Sequence, residues 1–279
     1  MNFHRTSLVI AAILATAACG NTHKLEDWHP AEEKKDSTGH KDIYNFASYN
    51  VGVFNKSGTN SMKMVASMMK EWDLDALSMN ELDSCNTRSG ASVYQLADFA
   101  DAMGGWNYNF ASAISYKGGS YGIGIVTPMD IKAKWSVQLP RSNDSEIRAL
   151  SVVETEKFVF CSTHLGLTEQ ARLDQIDVIN LFINSHFKNY RKPVILCGDF
   201  NAEPGSAPLA RFAEDWTVIS DTDAFTFSTS SPKKCIDYVL LYRNAASCTV
   251  KLSKVGTSFK SGDPRTASDH FPILVSVKI

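Results

Sequence analysis

Asp199 and Asn201 stand two apart in Cys197-Gly198-Asp199-Phe200-Asn201. In an extended stretch, side chains two apart point the same way, so this spacing sets a carboxylate beside a carboxamide. Such a pair can orient a water, accept a proton or face a cation. The residues before it, Lys192-Pro193-Val194-Ile195-Leu196-Cys197, form a short, unbroken apolar run rich in β-formers. That run reads as a strand buried on both faces of a sheet, opened by Pro193 and ended by Gly198. The pair is therefore expected at the carboxyl end of a buried strand, where open α/β sheets bind their ligands. Asp and Asn are also ordinary turn formers, so these two residues alone decide nothing.

The pattern recurs along the chain. Asn50 follows a predicted strand over residues 43–49, and Glu81 follows another over 75–79. Arg148 lies in a predicted strand over 147–154, and His164 ends one over 158–164. Asp237 lies in a strand over 236–242, and Asp269 and His270 precede one over 271–277. One polar residue where a strand meets a loop is ordinary. This many, of the types that bind cations and move protons, point to a site. Arg148 has an alternative use as an ion-pair partner of Glu146 or Glu154, and Tyr121 reads as core packing, with a place facing the cleft as its alternative. His4, His23, His29, His40 and His186 share none of these settings and are assigned no role.

Further strands are predicted over 106–111, 121–127, 131–139 and 249–255, and helices over 60–72, 93–103 and 168–187. Thr168 is a good N-cap and Glu169 suits the first turn of the last helix. Leu173, Ile176, Ile179 and Ile183 supply its apolar stripe. Met62, Met64, Met68 and Met69 cluster on the first helix as packing residues. Many strands, few helices and βα units at both ends predict an α/β fold of two packed sheets flanked by helices. No repeat and no Pro/Gly-rich break divides residues 42–279, which read as one domain.

The 279 residues are 44% hydrophobic and 10% aromatic, enough for a large core. A net charge of −2 argues against constitutive nucleic-acid binding, which usually needs a strongly basic surface, but does not exclude a nuclease. His4 and Arg5 precede an apolar run from Leu8 to Ala18, too short to span a membrane, that ends in small residues. This reads as an export signal over residues 1–18. Thr16-Ala17-Ala18-Cys19 resembles a bacterial lipoprotein box, with Thr16 where Leu is usual. Lipidation at Cys19 would anchor the protein to the cell envelope, and ordinary secretion with cleavage near Ala18 is the alternative. Residues 19–41 are polar and read as a tether. Cys161 and Cys197 lie in apolar runs as packing residues. A Cys235–Cys248 disulfide is open to a chain outside the cytoplasm. No CxxC spacing suggests a zinc knuckle.

Taken in order, six segments resemble the motif set of the endonuclease/exonuclease/phosphatase family. They are Ser48-Tyr49-Asn50-Val51, Asn80-Glu81-Leu82-Asp83, Ser162-Thr163-His164-Leu165, Gly198-Asp199-Phe200-Asn201, Ile236-Asp237-Tyr238 and Ser268-Asp269-His270. Each is weak alone; their shared order is the signal. The resemblance implies a four-layered α/β sandwich and divalent-metal-dependent hydrolysis of a phosphoester. The metal would be Mg²⁺, with Mn²⁺ or Ca²⁺ as alternatives, since hard cations take oxygen ligands and keep several waters. By the same resemblance Asn50, Glu81 and Asp269 are metal positions. Asp199 would activate water and Asn201 would hold the phosphate or that water. His270 is the catalytic histidine, oriented by Asp237. His164 would donate to the phosphoryl group or leaving oxygen, and Arg148 could clamp a phosphate oxygen.

Two departures bear on substrate. Abasic-site endonucleases carry an acid two residues after the first Asn, where this chain has Gly52. Close relatives often read Tyr-Gly-Asn-Ala where Tyr121-Gly122-Ile123-Gly124 stands. With no Lys/Arg-rich track for a duplex, the expected substrate is a small phosphate mono- or diester, or a phospholipid headgroup, taken by a monomer. A secreted scavenging nuclease is the alternative enzyme. A binding protein that kept the fold and lost catalysis is the alternative outside enzymes, and the intact motif set speaks against it.

Overall fold

The computed structural model describes residues 42–279. The expected export signal, Cys19 and the tether lie outside those residues. The chain opens with β1 (Ile43–Asn50), a 3-10 turn (Gly52–Phe54), α1 (Met62–Lys70), β2 (Ala76–Ser84) and α2 (Gln95–Ala102). There follow β3 (Asn107–Tyr116), β4 (Gly119–Thr127), β5 (Ala133–Leu139), β6 (Arg148–Glu154) and β7 (Val159–His164). The rest comprises α3 (Glu169–Phe187), β8 (Val194–Asp199), α4 (Ala207–Phe212), β9 (Trp216–Val218), β10 (Asp237–Tyr242), β11 (Thr249–Val255), α5 (Pro264–Ala267) and β12 (Ile273–Lys278).

The strands form two six-stranded sheets, ordered β11-β12-β1-β2-β4-β3 and β5-β6-β7-β8-β10-β9. Each has one parallel pair near its centre, β1 with β2 and β7 with β8. A parallel neighbour needs a crossover long enough to return the chain to the same end, and α1 and α3 supply it. The sheets face each other across a layer that includes Phe46, Phe158, Phe160, Ile195, Val239 and Val275. Met68, Met69, Leu96 and Phe99 of α1 and α2 cover the outside of the first sheet. Ile176, Ile179, Ile183 and Phe212 of α3 and α4 cover the outside of the second. Helix, sheet, sheet and helix make the expected four-layered α/β sandwich. Among the described residues, no helix is long and apolar enough to cross a membrane.

Register sets the site. Pairing β1 with β2 puts Asn50 beside Asn80. Pairing β7 with β8 puts His164 beside Asp199, and β10 adds Asp237 on the other side of Asp199. Gly198 permits this: a Cβ there would stand 1.8 Å from the Thr163 carbonyl oxygen, so only glycine lets β7 and β8 approach so closely. Thr168 caps α3 as expected, its hydroxyl accepting from the Ala171 N–H.

Some elements differ from the sequence reading. β2 runs on through Asn80-Glu81-Leu82-Asp83 rather than ending at Met79, and its pairing with β4 shifts register between Met79 and Leu82. Such a bulge re-aims a side chain, and it is Glu81 that turns out, at φ 59, while its neighbours stay buried. The short α4, β9 and α5 were not expected. Cys235 and Cys248 are free thiols rather than a disulfide. Cys235 packs under the helical layer and Cys248 into the layer between the sheets, so the second sheet separates them.

Candidate active site

The strand ends and the loop before β12 meet at a polar cleft of about 680 Å³. Glu81, Arg148, His164, Asp199, Asn201, Asp269 and His270 line it, along with Tyr121, Glu146, Arg172, Phe227 and Lys234. Asn50 and Asp237 lie behind that wall, both fully buried. All nine residues singled out in the sequence are thus drawn to one place.

Asp199 is the hub. Its Oδ2 accepts from Asn50 Nδ2 at 3.1 Å and lies 3.5 Å from His164 Nε2 and 3.6 Å from His270 Nε2. Its Oδ1 accepts from the Asn201 N–H at 2.9 Å. Asn80 fixes the backbone: its Oδ1 accepts from the Asp199 N–H and its Nδ2 donates to the Thr163 carbonyl, both at 3.0 Å. These two bonds tie the first sheet to the second directly under the site. Burial raises the Asp199 carboxyl from its ordinary value to about 7, with the His270 charge and its own hydrogen bonds opposing. A carboxyl in that range can exchange a proton near neutral pH.

The two histidines are held in opposite states. His270 Nδ1 donates to Asp237 Oδ2 at 2.9 Å, since a carboxylate can only accept. Burial would lower the His270 pKa, but the charges of Asp237 and Asp199 outweigh it and raise it to about 10. His164 Nδ1 faces the Arg148 guanidinium at 3.5 Å, and a guanidinium can only donate. Its Nδ1 therefore accepts, and its Nε2–H points at Asp199. Burial, then the Arg148 charge, hold His164 well below the ordinary histidine value, so it stays neutral. Four residues at most a few per cent exposed thus combine one cationic imidazole, one neutral imidazole and two carboxyls.

Arg148 is buried and reaches Glu146 Oε2 at 3.4 Å, not Glu154, which instead pairs with Lys192. Its Nε has no hydrogen-bond partner. Asn201 lines the cleft at φ 48, and its Nδ2 donates to the Leu165 carbonyl at 3.0 Å, leaving its Oδ1 as the free end. Tyr121 faces the cleft instead of packing in the core, with the Arg88 guanidinium 5.1 Å over its ring.

Of the metal positions, Glu81 and Asp269 form the open edge, with Asn50 buried behind them. Asn50 Nδ2 donates to Glu81 Oε1 at 3.1 Å, while its Oδ1 accepts from the Gly52 N–H. Asn50 thus presents its NH₂ to both carboxylates, and since an NH₂ cannot ligate a cation, the metal position expected of Asn50 is instead a brace for Glu81 and Asp199. Ser268 anchors the opposite loop: its hydroxyl donates to the Asn50 carbonyl and accepts from the His270 N–H. Between Glu81 and Asp269 lies a cation supplied by the chain itself. Lys56 Nζ stands 3.0 Å from Asp269 Oδ2 and 3.7 Å from Glu81 Oε2. These oxygens share one positive charge, as the donors of a hard cation would, so the residues fit a divalent metal. Burial would lower the Lys56 pKa, but Glu81 and Asp269 outweigh it and raise it. Sequence reasoning missed Lys56: it sits in a loop with no periodic signal. It also read Asn80 only as Glu81's neighbour, although its position inside a matched motif was a usable sign.

A sequence model of the endonuclease/exonuclease/phosphatase family matches residues 47–270. The chain belongs to that family. Membership in the endonuclease/exonuclease/phosphatase family places it among phosphoester hydrolases. Solved structures with this fold include a mannosyl-6-phosphatase from Bacteroides thetaiotaomicron, 20% identical at a TM-score of 0.69, over 85% of this chain and all of that one. A family member from Bacteroides vulgatus is 17% identical with a TM-score of 0.70, over 86% of this chain and 100% of its own. ANGEL2, a 2',3'-cyclic phosphatase, is 14% identical with a TM-score of 0.63, over 84% and 95%. A search of curated protein sequences found no match.

Proposed function

We propose that this family member is a divalent-metal-dependent phosphoesterase that cleaves a small phosphate mono- or diester, or a phospholipid headgroup. The observation that carries this reading is the convergence of His164, His270 and Asn50 on one buried oxygen of Asp199 beside the Glu81–Asp269 edge.

Glu81 and Asp269 would hold the metal, Mg²⁺ by preference with Mn²⁺ or Ca²⁺ as substitutes, and Asn50 would fix Glu81. When bound, the metal supplies positive charge to the phosphoryl oxygens. Asp199 orients the attacking water and takes its proton, a task suited to a carboxyl near 7. His270, kept cationic by Asp237, faces the phosphoryl group and neutralises the charge that develops there. His164, neutral with its Nε2–H toward Asp199, holds that carboxylate in place. Arg148 and Asn201 line the cleft and would position the substrate, the Asn201 Oδ1 accepting from the attacking water or a substrate hydroxyl.

The cleft balances its charges: Arg148, Arg172 and Lys234 face Glu146, Glu203 and the catalytic acids. A duplex needs a continuous basic track, and its affinity collapses with salt. This cleft is suited to one phosphate and its immediate substituents. The test is a substrate panel in Mg²⁺ containing sugar phosphates, a chromogenic diester, sphingomyelin and oligonucleotide DNA. Sugar phosphates come first because one structural neighbour is a mannosyl-6-phosphatase. A small phosphoester should show the highest kcat/KM, with little salt dependence. DNA as the best substrate, with activity falling steeply as salt rises, would establish the nuclease reading instead.

A further inference from the structure

We propose that Lys56 is a built-in competitor for the divalent cation: its ammonium bridges Glu81 and Asp269 in the metal-free protein and must leave when the metal binds. The inference rests on the metal reading above and adds what sets the site's affinity.

Three observations carry it. The first is position. Lys56 Nζ lies within contact distance of one oxygen of each carboxylate, so it fills the place a metal held by both would take. An ammonium and a dication cannot occupy it together, because like charges at that range repel strongly. The second is access. The three side chains are 22% to 37% exposed, so water and ions reach them and the long lysine stem can swing out. The third is a path built for that stem. A Cβ on Gly52 would lie 2.2 Å from Lys56 Cε and 2.4 Å from its Cγ. The lysine runs through space that exists only because residue 52 has no side chain. Gly52, at φ 51, is also a conformation that side-chain-bearing residues rarely adopt.

The arrangement has two consequences. Without metal, the ammonium screens two carboxylates that would otherwise repel, so the edge stays ordered. With metal, part of the binding energy goes into displacing it. Occupancy then follows the free cation concentration instead of being saturated at trace levels.

The test is calorimetric titration of full-length protein with Mg²⁺ alone, alongside the melting temperature with and without Mg²⁺. Lys56→Met should bind Mg²⁺ about tenfold tighter than wild type. It should also melt lower than wild type without metal and gain more on adding it. Lys56→Arg, which keeps the charge, should bind like wild type. Gly52→Ala, which pushes the stem aside, should tighten binding by a smaller factor. Mg²⁺ binding that is unchanged or weaker in Lys56→Met would overturn the competitor role while leaving the metal site standing. No Mg²⁺ binding in either protein would overturn both.

Discussion

The two halves of the site handle charge in opposite ways. On the open edge, Lys56, Glu81 and Asp269 keep 37%, 22% and 36% of their side-chain surface in water. In the closed half, Asp199, Asp237, His164 and His270 keep 7% or less. Both contain carboxylates next to a cation. In the open half the partners are long, flexible or loop-borne, and water is present to solvate whatever leaves, so ions can exchange. In the closed half the partners are strand-borne, and moving a charge into or out of them costs desolvation, so protonation states are fixed. A hydrolase that uses an exchangeable metal beside a preset acid–base pair needs both environments within one cleft.

The largest effect should come from breaking the closed half. His270→Ala should lower kcat by about 10³-fold, within the usual range for removing a preset group that stabilises developing charge. Asp237→Ala should fall in the same range, because Asp237 acts only through the His270 imidazole it holds at 2.9 Å. The double variant should then be little worse than the worse single one. Fully multiplicative losses would mean that Asp237 has a role of its own, through the Oδ1 that has no partner in the fold.

A smaller effect should separate the two histidines by pH. His270 is raised from 6.5 to about 10, so its stabilisation is complete below 6.5 and is lost as pH rises through 10. His164 is depressed, so its contribution is present above 6.5 and is lost as pH falls. Asp199, raised to about 7, favours acid, and losing the His270 charge that opposes this rise would push it further up in the His270 variant alone. Melting temperatures of the metal-free protein should therefore diverge by several degrees in opposite directions. Relative to wild type, His270→Gln should lose progressively less stability from pH 6.5 to 10. His164→Gln should gain relative to wild type as pH drops below 6.5. Parallel curves for the two variants would remove the distinction between them.

The closed half was the more legible in sequence. His164, Asp199, Asp237 and His270 each sit at or beside the end of a strand whose apolar run announces it. What the sequence could not show was register: nothing local says that Asp237 pairs across from Asp199, or that Asn50 reaches it from 149 residues away. The layers followed from the βα units at both ends. The six-residue α4 and three-residue β9 are too short to leave a periodic trace. Glu81 was legible as a residue but not as a bulge, because the outward turn comes from the pairing of β2 with β4. Lys56 was not legible at all. Its placement depends on the left-handed backbone at Gly52, which composition does not report.

The most direct measurement is the rate of small-phosphoester hydrolysis by wild type and Glu81→Gln, before and after EDTA, followed by titration with Mg²⁺. Glu81 faces the cleft from a bulge, so the neutral isostere should fold normally and keep its melting temperature within a degree or two. Wild-type activity should vanish in EDTA and return with Mg²⁺, while Glu81→Gln should lose about 10²-fold or more and need far more Mg²⁺ to recover. Hydrolysis that persists unchanged in EDTA, or a Glu81→Gln variant as active as wild type at the same Mg²⁺, would contradict a metal held at the open edge.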